Sequence, residues 1–204
     1  LLVFYNSLKN LKKKRLFENI PTSKMRSIAM GLVELKGKIE MAENLLKDPF
    51  DDKDCVYWYV HIEEHVKRGK NRRWVTRHKA SDCVPFLFSD DTGSVLVQPK
   101  NADMSNVKRD SEYESTFLFS EKLPLKVRKY CDKHNVKYTG WFGGKRRMRC
   151  RTTYLEPNDQ LYIMGDARPL TGKEIVYAKD ATAVIEYKKD SHFLISDKSE
   201  KDLI

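Results

Sequence analysis

Alternation of apolar and polar positions over Cys55–Val66 constrains the fold of this chain more than any other feature. Only a strand places every second side chain on one face. One face of the segment carries Val56, Trp58, Val60 and Ile62. The opposite face carries Tyr57, Tyr59, His61 and Glu63. β-Branched and aromatic residues favour strands, so we predict a long strand with one apolar face.

A basic tip follows this strand. Lys67–Arg73 reads KRGKNRR, and the strand-like segment Trp74–His78 comes directly after it. The pattern predicts a hairpin, with Gly69 available for the turn. We interpret its tip as a possible partner-binding crown of cations, formed by Lys67, Arg68, Lys70, Arg72 and Arg73.

The remaining patterns predict more strands and one helix. Val84–Phe88 and Ser94–Gln98 flank the turn sequence Asp90–Gly93, which predicts a second hairpin. A proline near its start and apolar residues on one helical face predict a helix over Leu123–His134. Further strands are predicted from Gly31 and at Arg146–Leu155, Leu161–Met164, Ile175–Ala178, Thr182–Tyr187 and Phe193–Ser196.

These elements predict a mainly β (α+β) fold. With 204 residues the chain can bury a sizeable core. We expect two OB-like or barrel-like β halves, residues 16–120 and 121–204, joined by the predicted helix. Residues 1–15 would precede them as a membrane-proximal helix and basic segment.

Four segments, in order, resemble the motifs of one family. Pro21–Lys38 contains GLVELKGK, similar to "GLVE.KGK", and Asp48–His65 is similar to "PF..KDCVYY...VEE". Trp74–Met104 is similar to "VPF.L.DDTG.VLV.P..A". Glu156–Pro169 is similar to "PGD.LYV.G.A", with Asn158 where glycine is usual. Together they resemble the GIDE domain, also called the BAM or "beside a membrane" domain, over roughly residues 18–190.

The resemblance implies a location next to a membrane. GIDE domains accompany transmembrane helices in prokaryotic membrane proteins and in mitochondrial E3 ubiquitin ligases. In those ligases the domain serves regulation or substrate recognition, and a separate RING finger supplies the transfer activity. For this chain the resemblance therefore implies a protein-interaction domain rather than a ligase.

The N-terminal residues fit the end of a membrane anchor. Leu1–Tyr5 is apolar but too short to span a bilayer, and a basic cluster follows that includes Lys12, Lys13, Lys14 and Arg15. Such a cluster holds a helix end on the cytoplasmic side. We therefore expect a membrane-anchored domain facing the cytoplasm, although the mitochondrial relatives place theirs in the intermembrane space. An amphipathic helix with Leu8, Leu11 and Leu16 on one face is the alternative.

A second basic cluster contains large aromatic side chains. The net charge is +10, and part of it comes from a segment that we predict to contact membrane or partner through Tyr138, Trp141, Phe142, Lys145, Arg146, Arg147 and Arg149. Aromatic rings lodge among lipid headgroups while the cations attract anionic lipid. A buried Trp141 beneath a solvated basic strand is the alternative.

Several kinds of chemistry are excluded or unsupported. The four cysteines form no C-x-x-C pair, which excludes a RING finger or zinc ribbon within this sequence. His61–His65 (HIEEH) fits an inverted zinc protease motif, but on a strand its histidines would lie about 13 Å apart. Gly140–Lys145 has the wrong glycine spacing for a phosphate loop. We predict no catalytic residue, no metal and no cofactor.

Two classes of function remain open. The first is a non-catalytic, membrane-tethered domain that recognises or regulates a protein partner at the membrane surface. The second is an OB-like nucleic-acid-binding domain, because single-strand binders combine a positive groove with stacking aromatic rings. In that case Arg72 and Arg73 would join the second basic cluster, and Trp74 and Trp141 would stack on bases.

Overall fold

The computed structural model describes residues 22–40, 44–108, 111–115, 123–140, 146–178 and 180–198. They belong to two compact units. Unit 1 comprises the described residues of 1–44, 84–108 and 157–204, and unit 2 those of 45–83 and 109–156. Both segments of unit 2 are therefore insertions into the chain of unit 1. This interleaved division differs from the sequential halves 16–120 and 121–204 that we expected.

Strands dominate both units. In chain order the strands are β1 (Gly31–Ile39), β2 (Leu46–Lys47), β3 (Asp54–Cys55), β4 (Tyr57–Arg68), β5 (Asn71–Cys83), β6 (Phe86–Ser89), β7 (Ser94–Val97), β8 (Ser111–Glu114), β9 (Met148–Leu155), β10 (Gln160–Arg168), β11 (Ala181–Glu186) and β12 (Leu194–Ser196). The helices are α1 (Leu125–Lys133) and α2 (Gly172–Tyr177), besides a short 3-10 helix at Met25–Ser27.

Unit 1 contains a closed five-stranded barrel. Its strands follow the order β1-β6-β7-β11-β10, and β10 pairs back onto β1 to close the ring. The closing pair is antiparallel, from Gly31 opposite Ala167 to Lys38 opposite Gln160. β7 and β11 are parallel, while the other barrel pairs are antiparallel. β12 extends the sheet by pairing with β10. Closure removes the exposed edges that an open sheet would present.

Small residues let the barrel strands approach closely. A Cβ atom added to Gly37 would lie 2.2 Å from the backbone oxygen of Ser89. A Cβ atom at Gly165 would lie 2.7 Å from Ile185 Cγ2 and 2.8 Å from the Phe193 ring. Larger side chains at these two positions would force neighbouring strands apart. The interior is filled from β1, β7, β10 and β11 by fully buried side chains that include Leu35, Val95, Ile163 and Ile185.

The described residues of unit 2 form an open antiparallel sheet and one helix, rather than a second barrel. Its four strands follow the order β5-β4-β9-β8, and β2 pairs separately with β3. The helix α1 contributes Val127, Tyr130 and Cys131 to a core shared with β4 and β9. From the strands, Val60, Ile62, Met148 and Cys150 complete this core. The apolar face of β4 that the sequence predicted is therefore the face beneath α1.

The helix α1 lies where its sequence predicts it. Pro124 precedes its first residue, and the His134 amide donates to the Tyr130 carbonyl as the helix ends. Asn135 then adopts a positive φ of 55°, a conformation that asparagine tolerates better than most residues. The helix belongs wholly to unit 2 and does not join two barrel-like halves.

One predicted strand is wrong. We expected a strand at Ile175–Ala178, whereas the structure has the helix α2 from Gly172 to Tyr177. Thr171 and Glu174 form a capping box in which each side chain binds the other residue's backbone amide. This local pairing satisfies the first amides of the helix and outweighs the β-branched residues that favour a strand. The expected N-terminal helix lies outside the described residues. Among the helices that are described, none is long and apolar enough to cross a membrane.

Candidate functional site

The hairpin of β4 and β5 extends past its neighbouring strand. β4 pairs with β9 only as far as Glu64, which lies opposite Met148. Its pairing with β5 continues to Arg68, opposite Asn71. Apart from the hydrogen bond that the His65 amide donates to the Arg147 carbonyl, residues 65–74 pair only with each other among the described residues, and we call this two-stranded segment the basic ribbon. Gly69, with a φ of 64°, allows the tight turn at its tip.

The basic ribbon carries five cations and no acidic residue. All five are exposed, and none forms an ion pair with another described residue: Lys67, Arg68, Lys70, Arg72 and Arg73. Lys67 lies directly opposite Arg72 across the hairpin. Like charges in that position destabilise a sheet. The repulsion between these two cations therefore lowers the stability of the hairpin. It also leaves a concentrated positive charge at the tip, which would attract anions.

Aromatic and basic side chains meet at the base of the ribbon. His65 and Trp74 are cross-strand partners, and their ring centroids lie 4.8 Å apart. The guanidinium carbon of Arg149 lies 4.1 Å from the centroid of the Trp74 ring, and that of Arg147 lies 5.6 Å away. These are cation–π distances. Arg147 and Arg149, which the sequence predicted as contact residues, thus lie next to the basic ribbon, although they are distant from it in the sequence.

A buried carboxylate holds Arg149 in this position. Glu63 is 7% exposed, and its Oε2 accepts hydrogen bonds from Arg149 Nη2 at 2.8 Å and from Arg151. Burial by itself would raise the pKa of Glu63, but the hydrogen bond from Arg149 and the surrounding positive charges lower it overall. Glu63 therefore stays ionised and fixes both arginines.

The neighbouring arginines are neutralised in the same way. Arg146 Nη1 lies 3.0 Å from Glu64 Oε2, which also binds Arg77 at 2.6 Å. Arg147 Nη2 lies 2.6 Å from Glu114 Oε1. Each of the three predicted arginines Arg146, Arg147 and Arg149 thus has a carboxylate partner. The five cations of the basic ribbon, by contrast, have no carboxylate partner among the described residues.

The other members of the predicted contact segment divide into two groups. Tyr138 packs against the core of unit 2, and its hydroxyl donates to Asp132 Oδ2 at 3.3 Å. Trp141, Phe142 and Lys145 lie outside the described residues, as do Lys12, Lys13, Lys14 and Arg15. The sequence patterns did not identify Glu63, Glu64 and Glu114 as partners of the arginines. No local pattern could identify them, because such pairs depend on the register between distant strands, in which Glu63 lies opposite Arg149 on β9.

The histidine-rich motif HIEEH lies on β4, as the alternation of its side chains predicted. His61 Nε2 is 3.0 Å from Thr76 Oγ1, and Glu63 is bound by arginines. Within the described part of the chain, no group of three histidine, cysteine, aspartate or glutamate side chains has a geometry suited to a metal ion.

None of the four cysteines forms a disulfide in the structure. Burial raises the pKa of Cys150 and of Cys55 to about 12. Thiols with such pKa values are protonated near neutral pH and react slowly. Cys55, Cys131 and Cys150 are buried and act as small core residues.

Comparisons with known proteins identified no relative of this chain. A scan against protein-family models, a search of curated proteins and a search of solved structures each found no significant match to this chain.

Proposed function

We propose that this chain is a GIDE-like, non-catalytic domain tethered to a membrane, which recognises or regulates a protein partner at the membrane surface. The observation that supports the proposal best is the basic ribbon, with five exposed cations that have no acidic partner among the described residues. Such a segment suits contact with anionic lipid headgroups. Each cation near an anionic membrane contributes about 1 kcal/mol of binding free energy.

The motif resemblance and the basic N-terminal cluster support the tether. In mitochondrial E3 ubiquitin ligases the similar domain operates beside a RING finger, whereas this sequence contains no C-x-x-C pair for one. The proposed role is therefore recognition rather than ubiquitin transfer. By the positive-inside rule, the cluster Lys12–Arg15 favours a cytoplasmic orientation.

Co-sedimentation with lipid vesicles tests the membrane contact. The chain is mixed with vesicles of phosphatidylcholine alone, or of phosphatidylcholine with phosphatidylserine, at low and high salt. We expect binding to the anionic vesicles only, weakened by salt. The double variant Arg72→Gln/Arg73→Gln should bind about 30-fold more weakly, from two lost contributions of about 1 kcal/mol.

A matched variant controls for total charge. Lys100→Gln/Lys137→Gln also removes two exposed cations, but neither is in the basic ribbon. This variant should keep most of the binding. Equal weakening by both double variants would show a general charge effect and would contradict a role for the ribbon. Absence of binding to anionic vesicles would reject the membrane contact itself.

Nucleic-acid binding is the second candidate, and the barrel topology favours it. Numbered within the barrel, the strands follow the order 1-2-3-5-4 with closure of 4 onto 1. This is an OB-like arrangement, and OB-folds bind oligonucleotides partly through the loop between their first two strands. Here that connection contains the basic ribbon, and a two-stranded ribbon also fits the DNA major groove. Fluorescence anisotropy with labelled single- and double-stranded DNA tests this candidate. Salt-dependent oligonucleotide binding without vesicle binding would favour it over the first.

A further inference from the structure

Unit 2 also contains a cleft, and no residue of the basic ribbon lines it. Its volume is about 940 Å³, and it lies between the loop at residues 47–52 and the helix α1. Its floor is apolar and aromatic, formed by Phe50, Trp58, Leu125 and Tyr130. Neither Phe50 nor Trp58 is fully buried, and Leu125 is 58% exposed. A soluble domain exposes few large apolar side chains together unless they bind something.

The floor is ordered by ring packing. The Phe50 and Tyr130 ring centroids lie 5.1 Å apart, and those of Tyr130 and His134 lie 4.3 Å apart. The hydroxyl of Tyr130 is 3.2 Å from His78 Nε2, which holds the phenol ring from behind. Phe50 itself belongs to a turn fixed by Asp48, whose carboxylate accepts amide hydrogen bonds from Phe50, Asp51 and Lys53. The aromatic surface is therefore formed in advance, which lowers the entropic cost of binding.

Lysines surround this floor. The four that line the cleft are Lys47, Lys126, Lys129 and Lys133. Lys47 pairs with Asp54 at 2.9 Å and Lys126 with Asp51 at 2.6 Å. Lys129 and Lys133 are exposed, one helical turn apart on α1, and have no ion-pair partner in the described part of the chain.

Two carboxylates also line the cleft, and they oppose this charge only in part. Asp48 is 5% exposed, and its oxygens are occupied by the backbone amides of its turn. Asp52 remains exposed. The accessible part of the cleft therefore has a net positive charge from Lys129 and Lys133, next to a hydrophobic floor.

We propose that this cleft is the protein-recognition site of the domain and binds an acidic peptide segment with an aromatic or leucine anchor. The anchor would pack on the half-buried Phe50 and the exposed Leu125, while carboxylates on either side would pair with Lys129 and Lys133. Small-molecule sites usually bury most of their ligand. This cleft is open to solvent beside Lys129 and His134, which suits an extended segment lying across the helix. The inference specifies the partner in the proposed function but does not depend on membrane contact.

Selection from a random peptide library displayed on phage, with the full chain immobilised, tests the proposal. We expect enrichment of peptides that combine aspartate or glutamate with phenylalanine, tryptophan or leucine. A synthetic peptide of the enriched sequence is then titrated against the chain by fluorescence anisotropy. Lys129→Glu/Lys133→Glu should weaken its binding at least about tenfold, because two attractive pairs become repulsive.

Two controls make the result decisive. Lys100→Glu/Lys137→Glu changes the net charge equally outside the cleft and should keep the affinity. Circular dichroism must show that both double variants are folded, and since all four lysines are exposed we expect no loss of structure. Absence of enrichment, enrichment of non-acidic peptides, or binding that survives Lys129→Glu/Lys133→Glu would each overturn the proposal. If an anionic aromatic dye binds in the cleft while no peptide is enriched, the occupant is a small molecule and the peptide proposal is again rejected. Vesicle co-sedimentation of the cleft variant should be unchanged, which separates this test from that of the basic ribbon.

Discussion

Replacement of Glu63 by glutamine should destabilise unit 2 strongly. The carboxylate is 7% exposed, and the side chains of Arg149 and Arg151 that it binds are 19% and 14% exposed. Glutamine keeps the shape but removes the negative charge between two guanidinium groups. Breaking a buried ion pair by removal of one partner costs about 3–5 kcal/mol, because the remaining charge is left uncompensated. We take about 3 kcal/mol as the expected loss, since part of each arginine still reaches solvent.

Urea unfolding followed by tryptophan fluorescence measures this loss. The signal includes Trp58 and Trp74, both in unit 2, and the Trp74 ring lies against Arg149. With a denaturant slope of about 2 kcal/mol per molar urea, the Glu63→Gln midpoint should fall by about 1.5 M. The spectrum should also change before unfolding, because Arg149 loses the partner that holds it against the indole.

An exposed ion pair in the same unit supplies the control. Lys47 and Asp54 lie 2.9 Å apart, and both side chains are 54% exposed. Exposed pairs contribute little to stability, so Asp54→Asn should leave the midpoint unchanged. A Glu63→Gln midpoint within error of the unaltered chain would refute the reasoning. It would mean that water or a rearranged carboxylate compensates both arginines, and that the position of Arg149 beside the basic ribbon is not fixed by Glu63.

Three further changes test the fold and its pH dependence. The hydrogen bond from Arg168 lowers the pKa of Glu174 to about 2, so its stabilisation is present above about pH 4.5 and disappears as the pH falls toward 2. Glu174→Gln should therefore cost up to about 3 kcal/mol near neutral pH and flatten the fall in urea midpoint between about pH 5 and pH 2. Gly37→Ala should lower the thermal stability of the barrel by about 2 kcal/mol, because the alanine Cβ would lie 2.2 Å from the Ser89 backbone oxygen. A shift in melting temperature of under a degree would show that the strands accommodate this Cβ without strain. Ile62→Ala removes a fully buried side chain from the core of unit 2 and should cost about 2–5 kcal/mol in the same urea assay, and a loss below this range would show that the core closes around the cavity.

The sequence predicted most strands, because their signal is local. Alternation over Cys55–Val66 predicted β4 and the face that packs against α1, and the turn sequence Asp90–Gly93 predicted the hairpin of β6 and β7. Pairing between distant segments has no such signal. β1 closes the barrel with β10 more than a hundred residues later, and this pairing is the reason that the two units interleave.

The sequence predicted where the cations of the candidate site lie, but not which of them are paired with carboxylates. The crown and the arginines Arg146, Arg147 and Arg149 appear alike in the sequence, as clusters of cations. In the structure the three arginines are paired with carboxylates from neighbouring strands, and such pairs depend on register. The register between β4 and β9 joins segments that are distant in the sequence, and alternation within each strand does not determine which residues lie opposite each other.

The two sets of cations therefore differ in their surroundings, and this difference supports the proposal that the basic ribbon contacts anions. Bringing a free anion to Arg149 would require displacement of Glu63, whose charge the surrounding arginines already stabilise. The cations of the basic ribbon need no such exchange, because no described carboxylate occupies them. Binding of an anionic surface at the ribbon would also relieve the repulsion between Lys67 and Arg72, which lie opposite each other. That relief stabilises the bound state relative to the free one, so anionic vesicles or polyanions should raise the urea midpoint of unit 2 by an amount that grows with the logarithm of their concentration relative to the dissociation constant.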